Sequence, residues 1–585
     1  MKSILHIAEK PSVAKSLATT LSNKTAQQLR SKSKFNPIFS FRRDFRNCAN
    51  CQHFVSSVSG HLMDYDFGDE YRRWDEETID SLFAAPINEF VPKDKTELKQ
   101  NLHDLACKCQ VLVLWLDCDR EGENISFEVM KVCSQKNLQM QYYRAHFTSL
   151  VPSELLKAYN NLKQPDQRMS DAVSVRMELD LRTGAVFTRF QTLLFRRIIN
   201  NQHGIQAPVI SYGSCQFPTL GFVVDRYYQK KAFVEEKFYK IDCTVKKNST
   251  EVNFLWDKNR LFDKIATFCL YEDALEHQNK AVVYEVLQKE KTNFKPFPLT
   301  TVELQKSCSR LFKISAHKTM ELAEKLYNKG FISYPRTETD IYPNDMNHQQ
   351  FVQMFNNHRT YGNYTNRLLS GEMKPPRRGK HTDHSHPPIH PTKSVELIDG
   401  NFSPEERKIY DYVVRTYLAN MSDDARGFET KIGLQVGDER FHCNGLVVTE
   451  KNYLEIFTFK KWADKNIPEF EEGETVKLSS FQISEGKTTA PKLLNEAELI
   501  QLMDRNGIGT DATIAQHIEK IVERQYVLIK DNQFHPTNLG LSLIEGYDSM
   551  GFEFSRPTLR ASMEQRLKDV CDGKASKVWS CRCDT

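Results

Sequence analysis

Apolar positions follow three kinds of spacing along this chain. Residues 2–8 (KSILHIA) read as a strand, and residues 12–22 as the helix that follows it. Residues 110–116 (QVLVLWL) form a continuous apolar run, the kind a parallel sheet buries on both faces. The acidic stretch DCDREGE comes directly after, and an amphipathic helix, NISFEVMKVC, follows it. Strands alternating with helices predict an α/β domain over residues 1–152. From 153 to 228 the spacing turns helical, with a basic run at Arg182, Arg189, Arg196 and Arg197. Residues 229–292 alternate apolar and polar as strands do, and so do residues 428–482. These two stretches predict one β domain (229–292 and 400–491) interrupted by an insertion (293–399). Residues 492–585 then join 153–228 in a helical domain.

A repeat lies within the helical parts. VELQKSCSRLFKISAHKTMELAEKLYNKGFISYPR (302–336) and AELIQLMDRNGIGTDATIAQHIEKIVERQYVLIKD (497–531) superpose without gaps at an offset of 195 residues. Glu303 matches Glu498, Leu304 matches Leu499, and Phe331 matches Tyr526. Ser315 and Thr510 both fall where a second helix needs its N-cap. Met320, Ala323, Leu326 and Tyr327 make one helical stripe, with Gly330 at the C-cap. Each copy reads helix–turn–helix–strand, an arrangement that suits a small packed core and equally a DNA-contacting module.

Composition narrows the class. The chain has 585 residues, enough for three to five domains, with 40% hydrophobic and 27% charged residues. Mean hydropathy is −0.55, and no run of about 18 apolar residues occurs, so a membrane span is not expected. The N-terminus lacks the h-region of a signal peptide and the arginines of a transit peptide, which points to an intracellular protein. Lys+Arg number 80 against 76 Asp+Glu, a net +4, so any nucleic-acid surface must be local. The 14 Cys are scattered, and Cys48/Cys51/His53 lack a fourth zinc ligand at usable spacing. There is no G-x-x-x-x-G-K-[ST] signal for ATP or GTP.

Two constellations can carry chemistry. Asp117, Asp119 and Glu121 alternate after the apolar run. If extended they point one way, and three converging anions call for a divalent cation such as Mg²⁺. Glu9, with Lys10 beside it, follows the first strand in the same sense, and ligands in such sheets bind outside the strands' carboxyl ends. The competing explanation is a solvated acidic loop capping the next helix. In GFISYPRTETD, Tyr334 lies on a short strand that Pro335 would leave accessible, with Arg336 on the same face. A phenol of pKa near 10 needs a cation to act as a nucleophile, and Arg336 can supply one. A packed tyrosine with a surface arginine is the bland alternative.

AEKPSVAK (8–15), SVSGHL (57–62), DCDREGEN (117–124), SYGSCQFPTLGFVV (211–224), GFISYPRTETD (330–340), HPPIHPT (386–392) and GIGTDAT (507–513) occur in the order found in type IA DNA topoisomerases. The wording is most similar to the eukaryotic topoisomerase III branch, alpha-like, over about residues 1–570. The resemblance implies a multidomain α/β plus α+β fold: a Toprim domain, helix-turn-helix (winged-helix-like) domains and a split β arch, closed into a toroid. It implies that Tyr334 attacks one DNA strand, forming a 5′-phosphotyrosyl link and freeing a 3′-hydroxyl. Arg336 and His386 then support the phosphate, Lys10 the transition state, and Glu9 the leaving oxygen's proton. Glu9, Asp117, Asp119 and Glu121 are the implied Mg²⁺ ligands. Candidate DNA contacts are Arg182, Arg189, Gln216, Thr219, Gly507, Gly509 and Thr510. The last three either grip a backbone phosphate or form a tight turn.

The activity implied is ATP-independent strand cleavage, passage and resealing, relaxing negative supercoils and resolving recombination or replication intermediates. The covalent link conserves the phosphodiester energy. A RecQ-family helicase, an OB-fold accessory protein and a nuclear location are implied with it. Other expectations compete: a Toprim primase or nuclease without a tyrosine, or a truncated, non-catalytic single-strand DNA-binding partner of a helicase complex. In the family the last domain continues past the point matching Leu567, and the alpha form adds zinc repeats. CDGKASKVWSCRCDT offers only the lone C-x-C of Cys581 and Cys583, so an incomplete last domain is expected.

Overall fold

A computed structural model describes residues 2–203, 209–277, 281–383, 385–397, 402–509 and 513–576. The first sheet has six strands in the spatial order Gln27–Leu29, Ile38–Phe45, Cys48–Ser57, Ser3–Ala8, Val111–Trp115, Gln141–Arg144. Ser3–Ala8 is central and parallel to both neighbours, with Ala8 opposite Ser57 on one side and Trp115 on the other. Alternate residues of these strands enter two different cores. Ile4, Val111 and Val113 pack with helix Pro11–Leu21, while Leu5, Ile7, Leu112 and Leu114 pack with helices Thr96–Ala106 and Arg120–Ser134. Burial on both faces explains why residues 110–116 are apolar without alternation. Parallel strands also end together, which sets Glu9 beside the segment that follows Trp115 (Glu9 N donates to Trp115 O, 3.3 Å).

The second sheet has seven antiparallel strands: Thr475–Val476, Ala281–Asn293, Ala425–Val436, Glu439–Glu450, Thr250–Trp256, Lys237–Lys247, Leu478–Lys487. Strands before residue 293 interleave with strands after 425, so the intervening chain leaves the sheet and returns to it. Helix Lys264–Glu276 interrupts the alternation expected throughout 229–292.

The repeat forms helices Thr301–Phe312 and Ala316–Asn328 in one copy, Glu496–Arg505 and Ile514–Glu523 in the other. The copies pack on each other: Ala316 N donates to Glu496 Oε1 (2.9 Å), and His317 pairs with Glu519 (2.8 Å). Ser315 caps its helix by accepting from Lys318 N (3.2 Å). Its expected counterpart, Thr510, lies outside the described residues; the N-cap of the second copy's helix is Thr513, three residues on. The strand ending each copy also differs. In the second it is the hairpin Val527–Lys530/Gln533–Pro536, whereas in the first it shrinks to a single bridge, Ile332 with Pro391. Helix Gln167–His203 packs along Arg120–Ser134 and along Pro557–Cys571.

Candidate active site

The first helix begins immediately after Glu9 and Lys10, with Lys10 at its N-cap and Pro11 in its first turn. Lys10 Nζ is 3.5 Å from Glu9 Oε1 and 3.4 Å from Asp117 Oδ2. Asp117, 4% exposed, accepts from Tyr327 Oη on its other oxygen (3.3 Å). Asp119 is the N-cap of helix Arg120–Ser134 and accepts from Gly122 N (2.8 Å). Its second oxygen accepts from Tyr334 Oη at 2.7 Å. Tyrosine, lysine and three carboxylates, from segments 325 residues apart (9 to 334), therefore meet in one buried place.

Burial, Asp117 and Asp119 push the Glu9 carboxyl up to about 8 against the opposing pull of Lys10. Lys10 is also raised: burial disfavours its charge, but Asp117, Glu9 and Glu324 outweigh burial and keep the ammonium protonated. Tyr334 is held well above the ordinary phenol range by burial, then by Asp119, Asp117 and Glu9, with Arg336 opposing. The His386 ring lies tilted against Tyr334 (4.5 Å between ring centres), and its pKa rises to about 10; burial opposes this, and Asp383 and Cys118 overcome it.

Several expectations are corrected. Tyr334 is 4% exposed and lies on no strand; its backbone N donates to Thr148 O (3.1 Å), closing it against the first domain. Arg336 is engaged by Glu324 (Nε–Oε1 3.0 Å), and its downward pull on the phenol is outweighed by burial and the carboxylates. The acidic trio is not extended, because the helix starts at Arg120. Glu121 accordingly turns to Arg176 (2.7 Å) and His61 (3.1 Å), which bring it down to about 2 despite its burial. Among the described residues no three acidic, histidine or cysteine side chains stand close enough to hold a metal. The physical reason is visible: all four Asp117 and Asp119 oxygens already accept from protein donors. The donor set itself still fits a hard divalent cation, since Asp117 and Asp119 together carry more negative charge than Lys10 neutralises.

The expected DNA contacts are mostly committed elsewhere. Arg182 donates to Leu82 O (3.1 Å) and Ala85 O (2.8 Å), and pairs with Glu178. Arg189 lies over the Trp74 ring (5.6 Å). Thr219 is fully buried, donating to Cys215 O (2.7 Å), so it offers no surface; Gln216 bonds Arg524. Gly507 and Gly509 have φ of +66° and +80°, and a Cβ on Gly509 would stand 2.9 Å from Ile514 N. That favours the tight-turn explanation there.

The motif reading missed Arg144, Tyr327, Glu324 and His61 with Glu128. Arg144 is fully buried and donates to the carbonyls of Leu116 (2.8 Å), Ala145 (2.9 Å) and Asp117 (2.6 Å) while pairing with Glu123 (2.8 Å). It fixes the backbone carrying Asp117, and nothing in QYYRAHF distinguishes it from a surface arginine.

A DNA topoisomerase family profile matches residues 164–579, and a Toprim domain profile matches residues 4–150. The chain belongs to the type IA DNA topoisomerase family. Human DNA topoisomerase 3-alpha is 44% identical over 578 residues, 99% of this chain and 57% of that protein. DNA topoisomerase 3 of Candidozyma auris is 42% identical over 590 residues, 98% of this chain and 91% of its own length. The chain thus spans little more than half of the human relative. Full-length topoisomerase I of Thermotoga maritima shares the toroidal fold, with a TM-score of 0.73 at 22% identity over 99% of this chain and 88% of that one.

Proposed function

We propose that this chain is an ATP-independent DNA topoisomerase whose nucleophile is Tyr334. The observation carrying the reading is the 2.7 Å hydrogen bond from the Tyr334 phenol to Asp119, which sets the hydroxyl inside the acidic cluster of the Toprim domain. The phenol oxygen attacks a backbone phosphorus, an O–P bond forms, and the bond to the 3′-oxygen breaks. The phenol's proton leaves toward Asp119, its present acceptor. Glu9, protonated near neutral pH, returns a proton to the 3′-oxygen. Lys10, Arg336 and protonated His386 place cations where charge develops on the phosphate. The reverse attack by the 3′-hydroxyl reseals the strand without ATP.

Asp117 and Asp119 would hold a Mg²⁺ ion with Glu9 near it, and the ion would supply charge to anchor and orient the phosphates of the cut strand. Glu121 serves instead to hold Arg176 and His61. Single-stranded or underwound DNA is the substrate, with relaxation of negative supercoils and resolution of recombination or replication intermediates as the outcome. A RecQ-family helicase, an OB-fold protein and a nuclear location fit the likeness to topoisomerase 3-alpha. No helix among the described residues is long and apolar enough to cross a membrane.

Relaxation of underwound plasmid with and without Mg²⁺ tests the reading. Wild type should relax the plasmid only with metal, and Asp117→Asn/Asp119→Asn should need far more metal or fail. Unchanged metal dependence in that double variant would remove the acidic cluster from the mechanism.

A further inference from the structure

Two connections join the seven-stranded sheet to the insertion that carries Tyr334. Strand Ala281–Asn293 enters it through residues 294–300, and helix Pro404–Asn420 leaves it through residues 421–424. Lys295 ties them together: its amide donates to Asp424 Oδ1 (2.9 Å), and its ammonium donates to Ser422 O and Pro375 O (2.7 Å each). Beside this double crossing lies a cavity of about 680 Å³ that shares no residue with the cluster around Tyr334.

Two phenylalanines of its wall lack apolar cover, Phe294 at 56% exposure and Phe297 at 45%. The Arg377 guanidinium stands 3.6 Å from the centre of the Phe297 ring and 5.3 Å from that of Phe294. Lys460, Lys461 and Arg310 continue the cationic rim, with Lys460 facing the Tyr453 ring (5.9 Å). Burial and then Arg377 hold Lys460 below the ordinary lysine range. The two carboxylates of the wall are engaged elsewhere, Glu303 with Lys306 (2.9 Å) and Asp340 with His381 (3.2 Å). Among the described residues no ion pair with a carboxylate neutralises Arg310, Arg377, Lys460 or Lys461.

Exposed aromatic faces under unneutralised cations match a single nucleic-acid strand, whose bases stack and whose phosphates pair. An acidic peptide would satisfy the cations and leave the phenyl faces unused. We propose that this cavity binds a segment of single-stranded DNA apart from the cleavage site, a base stacking on Phe294 or Phe297 and its phosphates meeting Arg377, Lys460 and Lys461. The proposal rests on the reading that the chain acts on single strands.

The test is photo-crosslinking of the full chain to a long oligonucleotide carrying 5-iododeoxyuridine, with adducts mapped by mass spectrometry. An adduct within residues 294–297 is expected. Phe294→Ser/Phe297→Ser should lose it and weaken binding of the long oligonucleotide about 5-fold or more. Arg377→Gln/Lys460→Gln should make the plot of log affinity against log salt shallower by about 1.4. Both variants should still cleave a short oligonucleotide that reaches only Tyr334. If wild type cannot cleave that short substrate, the reading of Tyr334 fails instead. Adducts confined to other regions, or affinity and salt slope unchanged in both variants, overturn the cavity proposal. So does protection of Lys460 and Lys461 from acetylation by polyglutamate and not by the oligonucleotide.

Discussion

Replacing Tyr334 with Phe deletes one buried oxygen and leaves Asp119 with its second donor, Gly122 N. The loss of that hydrogen bond should cost about 1 kcal/mol of stability or less, since relief of the phenol's burial offsets it. Oligonucleotide binding should therefore persist while protein-linked DNA 5′ ends disappear; such ends formed by the Phe variant would dismiss Tyr334 as nucleophile. Gly122→Ala is the opposite kind of change. Its Cβ would lie 2.0 Å from the Asp117 carbonyl oxygen, so the backbone holding the carboxylates must move. A lowered melting temperature together with lost cleavage is expected, and wild-type behaviour in both assays would show that the loop yields freely. The sequence made Tyr334, Glu9, Lys10 and the aspartates legible because their motifs are local. It concealed Arg144 and Tyr327, which act through carbonyls and carboxylates that only the fold brings near them. It also left Glu121 outside the helix, since a helix starting at Arg120, four residues before the expected Asn124, turns that carboxylate toward Arg176 and His61.

At the scale of elements, the parallel strands of the first sheet are stitched by a chain of side chains. Trp115 Nε1 donates to His6 Nδ1 (3.0 Å), His6 Nε2 meets His53 Nδ1 (2.8 Å), and His53 Nε2 meets Arg43 O (3.1 Å). Each ring accepts at Nδ1 and donates at Nε2, so both are neutral, and a further proton would set donor against donor. Burial lowers His53 to about 4, and burial with His53 lowers His6 well below its ordinary value. Both pKa values are lower folded than unfolded, so this contribution is full above about pH 6.5 and is lost as pH falls toward 4. For His53 alone the loss approaches about 3 kcal/mol. The urea midpoint should fall over that window, and His53→Gln, which accepts and donates without titrating, should flatten the fall. An equal pH slope in the variant would assign it to other histidines, such as His146, His390 or His517, which burial also lowers to about 4. Periodicity revealed the strands at 3–8 and 111–115, because burial on both faces leaves them wholly apolar. It hid Ile38–Phe45 and Cys48–Ser57, where charged and polar residues face the partly solvated edge of the same sheet.

For the whole molecule the consequential fact is where Tyr334 sits: shut between the first sheet's domain and the insertion that carries it. The polar contacts joining the two include the phenols of Tyr327 and Tyr334 on Asp117 and Asp119, the Thr148 carbonyl on Tyr334 N, and Ser12 Oγ with Asn328 Oδ1 at 3.4 Å on the outside. The proposed cleavage would need this closed arrangement, because Tyr334 and the acidic cluster come from opposite sides. The proposed passage of a second strand would need the reverse, a gap between the same surfaces. The two requirements separate experimentally at Ser12 and Asn328, which lie at the rim and outside the chemistry. Ser12→Cys/Asn328→Cys, with the exposed Cys107 and Cys269 replaced by Ser, can be joined by a short bis-maleimide. The joined protein should still cleave and reseal a short oligonucleotide but should not relax underwound plasmid. A linker cleavable by thiols should restore relaxation when cut. Relaxation at the wild-type rate by fully cross-linked protein would show that strands pass by some route other than parting Tyr334 from Asp119.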